Sequence, residues 1–175
     1  RVIFDTGTLI QPNKKYVVDI LKTLKMVDCA GSPTPIIKTR TLEDENDPLT
    51  DEGEIWNYRH AVSVARYLRN YRPDLNFAVK ELSHGLKSPT REDYNRLKRL
   101  ARYLQHSDGV GVWFPEVPRA HDFYNEKGYV NVFTDTDWAG DKVSRKSTSS
   151  AHIVAEGCLL YDTAKQQSIQ AQSSG

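Results

Sequence analysis

The stretch NVFTDTDWAGDKVSRKSTSSAHIVAEGCLLY (131–161) decides how the second half of the chain folds. Its apolar pieces, NVF, AHIVA and CLLY, are short and rich in β-branched and aromatic residues, which suits strands rather than helices. Glu156-Gly157 between the last two reads as a tight hairpin turn. Between the first two lies a polar segment with three carboxylates (Asp135, Asp137, Asp141) and the basic pair Arg145-Lys146. Asp135 and Asp137 share a face if one strand runs through both, because side chains on a strand alternate with period two. The Trp138-Ala139-Gly140 sequence argues that the chain turns first. From the residues alone the segment is either one part of a metal site or the polar end of a strand.

Upstream, VGVWF (110–114) is further strand material, and Gly128 marks a turn before YVNVF (129–133). Before it the hydrophobic period is helical. A helix over about 55–70 carries Tyr58, Ala61, Val62, Ala65 and Leu68 on one face. Arg72-Pro73-Asp74 opens a second, and Ser88-Pro89-Thr90 opens a third with Thr90 and Asp93 spaced as a capping box. Tyr94, Leu97, Ala101 and Leu104 form the third helix's apolar face. Arg91, Lys98 and Arg102 stay roughly together on its surface, with Arg96 and Arg99 alongside. At the N-terminus a short strand pair with a turn at Asp5-Thr6-Gly7 precedes a helix opened by Pro12-Asn13. A connector follows, broken by GSPTP (31–35).

The net charge of +1 hides a strong asymmetry. Thr41 to Glu54 holds seven acidic residues and no basic one, whereas Trp56 to His106 holds eleven Lys/Arg against four Asp/Glu. Such a split fits a solvated acidic linker beside an anion-binding surface. No run approaches the roughly 20 apolar residues of a membrane span. Two distant cysteines argue against a disulfide framework, and five scattered histidines argue against a zinc site. No phosphate-binding loop, dinucleotide fingerprint or nucleophile elbow occurs.

GTLIQPNKKYVVDILKTLKMVDCAGSPTP (7–35), YRHAVSVARYLRNYRPDLNFAVKELSHGLKSPTREDYNRLKRLARYL (58–104), VFTDTDWAGDKVSRKSTSSAHIV (132–154) and QSIQAQSSG (167–175) resemble, in this order, the Pol polyprotein of copia-type LTR retrotransposons. The resemblance implies an α+β fold. A helical thumb/connection-like region would be followed by the first three antiparallel strands of an RNase H-like fold, truncated before the helix that would cover the sheet. It divides the chain into the end of a reverse transcriptase palm (1–27), an acidic linker (28–54), the helical region (55–108) and a partial RNase H-like domain (109–175).

By the same resemblance Asp135 is the catalytic carboxylate and Mg²⁺ ligand, and Asp137 is structural. The next acid of the family's centre would follow Gly175, and the polymerase's Asp pair would precede Arg1. The fragment is therefore expected to be inactive, while the intact parent copies RNA into DNA and hydrolyses RNA in the hybrid with Mg²⁺. The implied partners are an RNA–DNA hybrid and the rest of the Pol polyprotein, with no membrane. The implied location is the cytoplasm, in a virus-like particle, and the nucleus. Arg96, Lys98, Arg99 and Arg102, with Arg145 and Lys146, are the candidate phosphate contacts. Val62 or Ser63, where the family often has Gly, and Ser150, in place of the Gly of RKSTSG, depart from the pattern. Two alternatives stand beside this reading: a non-catalytic nucleic-acid-binding module or relic, and a scaffold without nucleic-acid role.

Overall fold

The computed structural model describes residues 1–37, 41–116 and 129–172. The turn expected at Gly128 and the SSG end of the last motif lie outside the described residues. Strands β1 (Val2–Phe4) and β2 (Gly7–Ile10) form a hairpin, followed by α1 (Lys14–Thr23). Next come α2 (Glu52–Leu68), α3 (Asn76–His84) and α4 (Arg91–His106), then β3 (Val112–Pro115), β4 (Val130–Thr136), β5 (Thr148–Ala155) and β6 (Cys158–Gln166). The fold is α+β with two three-stranded antiparallel sheets, ordered β1-β2-β3 and β4-β5-β6.

Each helix starts where local chemistry allows it. The Asn13, Asp51 and Thr90 side chains accept from backbone N–H groups of the first turns of α1, α2 and α4, satisfying donors that a helix leaves orphaned. At Thr90 the capping box is complete, because Asp93 also accepts from the Thr90 N–H. The helices pack their apolar faces into one core that includes Ile20 and Leu21 of α1, Tyr58 and Leu68 of α2, Val79 and Leu82 of α3, and Leu97, Leu100 and Leu104 of α4. Each such side chain gains roughly 1.5–3 kcal/mol from burial.

The acidic connector is not a free linker. Leu49 is buried and its N–H donates to Pro89 O (2.9 Å), while Pro48 bridges Thr90. Asp44 reaches Arg96 of α4, and α2 already begins at Glu52.

The strand at 112–115 does not join the later meander. It pairs with β2, Gly7 opposite Pro115 and Ile10 opposite Val112. The reason is tertiary: α1 leaves β2, α4 feeds β3, the two helices pack together, and Lys14 pairs with Asp108 across their ends (2.7 Å). Pairing partners of this kind have no signature in periodicity.

The β4-β5-β6 sheet contributes nothing to the core. It meets α3 through polar contacts: Lys80 Nζ donates to Thr148 Oγ1 (2.8 Å), Asn76 Nδ2 donates to Asp162, and His84 Nδ1 lies 3.4 Å from Asp141. The Glu156-Gly157 hairpin turn takes left-handed conformations at both residues, φ 49° and 75°, as a two-residue turn between strands requires.

Candidate nucleic-acid interface and the Asp135 loop

The loop between β4 and β5 sorts the three carboxylates into different jobs. Asp137 accepts from the Thr148 N–H, and Thr148 O accepts from the Asp137 N–H (3.1 Å), so this residue locks the loop shut. A Cβ on Gly140 would overlap the Asp137 carboxylate, which is why the motif needs Gly there. Asp141 is buried and accepts from the Val143 N–H (2.9 Å), the Ser144 N–H (3.2 Å), Ser144 Oγ (2.6 Å) and Gln166 Nε2. Burial works against its charge, but these hydrogen bonds outweigh it and hold the carboxyl below the usual aspartate range. Ala139, whose N–H donates to Ser147 Oγ (3.1 Å), and Arg145, whose N–H donates to Asp141 O (2.8 Å), take left-handed backbone conformations (φ 50° and 58°) that side-chain-bearing residues rarely adopt.

Asp135 is left over from this framework. It pairs opposite Ser150 on the exposed strand β4, and among the described residues its Oδ1 accepts only from the neighbouring Thr136 N–H (2.9 Å). Arg145 is exposed on the same loop, with Lys146 half-buried beside it. The structure thus brings Asp135, Arg145 and Lys146 into one strand-loop unit, packed against α3.

The four cations expected on α4 do not form one surface. Arg96 is a correction: it is only 6% exposed, and its guanidinium is held by Asp93 (3.1 Å) and Asp44 (2.5 Å). A buried cation left unpaired would cost several kcal/mol, so the acidic connector is drawn in to meet it. Burial works against the Asp44 charge, but the Arg96 hydrogen bond and the Thr41 N–H keep its carboxyl below the usual range. Arg99 is half-buried and donates to Thr34 Oγ1 (2.7 Å).

Lys98 and Arg102 remain. They line a hollow of about 600 Å³ together with Lys25, Asp28 and Cys29 from the end of α1. Lys98 also lies over the Tyr94 ring at 4.9 Å. Sequence reading missed Lys25 as a partner of this pair, because it lies more than 70 residues upstream, and only the packing of α1 on α4 joins them.

The magnesium expected from the resemblance needs hard oxygen ligands from several elements. Among the described residues no three His, Cys, Asp or Glu side chains are placed to hold a metal ion. Asp135 is one exposed carboxylate, and Asp137 and Asp141 are spent on the loop. The described residues do not fit a magnesium centre, and no chemical step is drawn through one. Among them, too, no helix is long and apolar enough to cross a membrane.

No protein-family model matches the chain, and no solved structure matches it. The chain is 30% identical over 167 residues to the retrovirus-related Pol polyprotein from transposon RE1 of Arabidopsis thaliana, which covers 92% of this chain and 10% of that protein. It is 29% identical over 161 residues to the uncharacterized mitochondrial protein AtMg00810 of the same plant, covering 91% of this chain and 62% of that protein. It is 35% identical over 119 residues to the secreted RxLR effector protein 161 of Plasmopara viticola, covering 67% of this chain and 78% of that protein. The chain spans about a tenth of the Pol polyproteins it matches. With four motifs in order and similarity to several transposon polyproteins along 92% of its length, the chain belongs to the copia-type retrotransposon Pol polyprotein family.

Proposed function

We propose that this chain is the part of Pol in which the last helices of the reverse transcriptase pass into the opening strands of RNase H, and that it holds an RNA–DNA hybrid by its phosphates. The observation that carries this reading is the separation of the loop's carboxylates. Asp137 and Asp141 hold the turn together, while Asp135 stays exposed on the adjoining strand β4. In the intact parent, Asp135 is one acid of a Mg²⁺-dependent centre whose other acids come from elsewhere in the polyprotein. Lys25, Lys98 and Arg102 are the phosphate contacts on the helical side, reading charge and shape rather than base edges.

The test uses a Pol protein containing the reverse transcriptase and RNase H regions. Asp135→Asn is expected to abolish Mg²⁺-dependent cleavage of hybrid RNA and leave DNA synthesis intact. Retained cleavage would remove the assignment. Residues 1–175 alone are expected to bind hybrid without cutting it.

A second reading has its own support. The similar segment makes up 62% of AtMg00810 and 78% of the RxLR effector, both much shorter than the Pol polyproteins. Under this reading the segment is a non-catalytic nucleic-acid-binding module. The same Asp135→Asn change in the Pol protein would then leave hybrid cleavage unchanged.

A further inference from the structure

A second cleft lies between the two sheets and the end of α2, away from both the Asp135 loop and the Lys98–Arg102 hollow. It has a volume of about 620 Å³, within the range of about 300–1,000 Å³ usual for ligand sites. One wall is strand β6, an edge strand of its sheet, and another is β3, an edge strand of the other sheet. Arg69, just past the end of α2, and Lys165 on β6 both line it, and among the described residues neither side chain has a hydrogen-bond or ion-pair partner.

Arg59, also on α2, differs: its guanidinium caps the end of α3 through Leu86 O (2.9 Å) and Lys87 O (3.0 Å). The cleft's one carboxylate among the described residues, Asp162, is already taken by His152 Nδ1 (3.0 Å) and by Asn76. Two unpaired cations thus face a cleft whose acid is occupied. Phe114, Tyr71 and Tyr161 add aromatic surface to the same walls.

Unpaired cations beside aromatic rings are the combination that holds single-stranded nucleic acid, with phosphates on the charges and bases on the rings. We infer that this cleft takes one or two nucleotides of a single strand, with phosphate on Arg69 and Lys165 and a base against Tyr161. The inference rests on reading the chain as a nucleic-acid-handling segment, but it concerns a different surface from the one assigned to the hybrid. Double-stranded hybrid is too wide for such a cleft, whereas a displaced or unpaired strand is not.

The test is binding of a fluorescent oligo(dT) 12-mer to the 175-residue chain at low salt, read by anisotropy. The double change Arg69→Gln, Lys165→Gln is expected to weaken binding roughly tenfold, and Tyr161→Leu several-fold. Lys87→Gln, which removes an exposed charge elsewhere, is expected to leave it unchanged. Circular dichroism verifies that each variant is folded, and Tyr161, already half exposed, is chosen because its replacement spares the core.

Inorganic tripolyphosphate is expected to compete far less well than the oligonucleotide. Equal competition, or indifference to Tyr161→Leu, would reduce the cleft to a plain anion site and overturn the proposal. Indifference to the double change would overturn it as well. Oligo(dT) binding that depends on Arg69 and Lys165 in a chain that fails to bind hybrid would sink the hybrid assignment and leave the cleft standing.

Discussion

Leu97 in α4 and Val132 in β4 are both aliphatic residues at positions their periodicity assigns correctly, yet Leu97 is fully buried and Val132 is 58% exposed. The contrast runs through the molecule. The helical body closes its own core from four helices, whereas β4-β5-β6 leaves Val130, Val132, Phe133 and Tyr161 mostly in solvent. Polar bonds to α3 hold the sheet in place where apolar packing would otherwise do so. Stability therefore resides in the helices, and the face that carries Asp135 is the less anchored part. A region with few buried apolar contacts opens locally at low free energy, so β4 amides should exchange well before those of α4.

The sharpest way to break this comparison is to truncate both residues. Leu97→Ala is expected to cost about 2–5 kcal/mol, because it removes transfer energy and leaves a cavity that the packed helices cannot close. Val132→Ala should stay within about 0.5 kcal/mol, as surface changes do. Equal losses in urea denaturation would show that the sheet carries as much of the fold as the helices.

A smaller effect is expected at the polar heart of the helical body. Arg72 is 2% exposed, binds Asp74 through Nε (2.9 Å) and Nη2 (2.7 Å), and donates to Ser107. Tyr103 Oη also donates to Asp74 (2.7 Å). Arg72→Met leaves Asp74 without its cation and should cost about 2 kcal/mol, below the usual figure for a buried pair because Asp74 keeps Tyr103 and some solvent. A double-mutant cycle with Asp74→Asn measures the coupling, and a value near zero would mean that the helices hold without this link.

Much of the helical body was legible in the sequence, because helix periodicity and caps are local. Tyr94, Leu97, Ala101 and Leu104 were legible as one face, and Thr90-Asp93 as a capping box. Arg96 was not, since a lone arginine on an amphipathic helix reads as solvated. Its burial is created by Asp44, about fifty residues away, and by Asp93. The pairing of β3 with β2 was hidden for the same reason. At the site, spacing alone left Asp135 and Asp137 equivalent, and resemblance to the family separated them. In the structure the Asp137 carboxylate binds the Thr148 backbone, whereas among the described residues the Asp135 carboxylate accepts only from its own strand.

Acid provides a finer probe of the same contrast. Asp44, Asp74 and Asp141 all have carboxyls held below their ordinary range, in each case by hydrogen bonds that outweigh burial. A depressed folded pKa contributes stability that is present above the unfolded value of about 3.9 and is lost as pH falls through the folded one. Stability should thus hold from neutral pH down to about 4 and fall below it. Because Asp141, unlike Asp44 and Asp74, sits in the β4–β5 loop and accepts from the Val143 and Ser144 N–H groups, these two amides should lose protection in acid even where α4 amides keep theirs. In Asp141→Asn that loop-specific acid response should vanish, and its persistence would mean that another group closes the loop.

The smallest expected change in stability is paired with the clearest change in binding. Lys98 and Arg102 lie on the surface of the helical body and take no part in its core, so Lys98→Gln and Arg102→Gln should each leave the urea midpoint within error. If both contact hybrid phosphates, each change removes about one released counterion. The slope of log affinity against log salt should then become shallower by about one per substitution. Arg96→Gln should do the reverse, because its charge is consumed by Asp93 and Asp44: stability falls and the salt slope keeps its value. A slope that responds to Arg96 but not to Arg102 would place the phosphate contacts on another face of α4. The helical body would then have to open its acidic connector in order to bind.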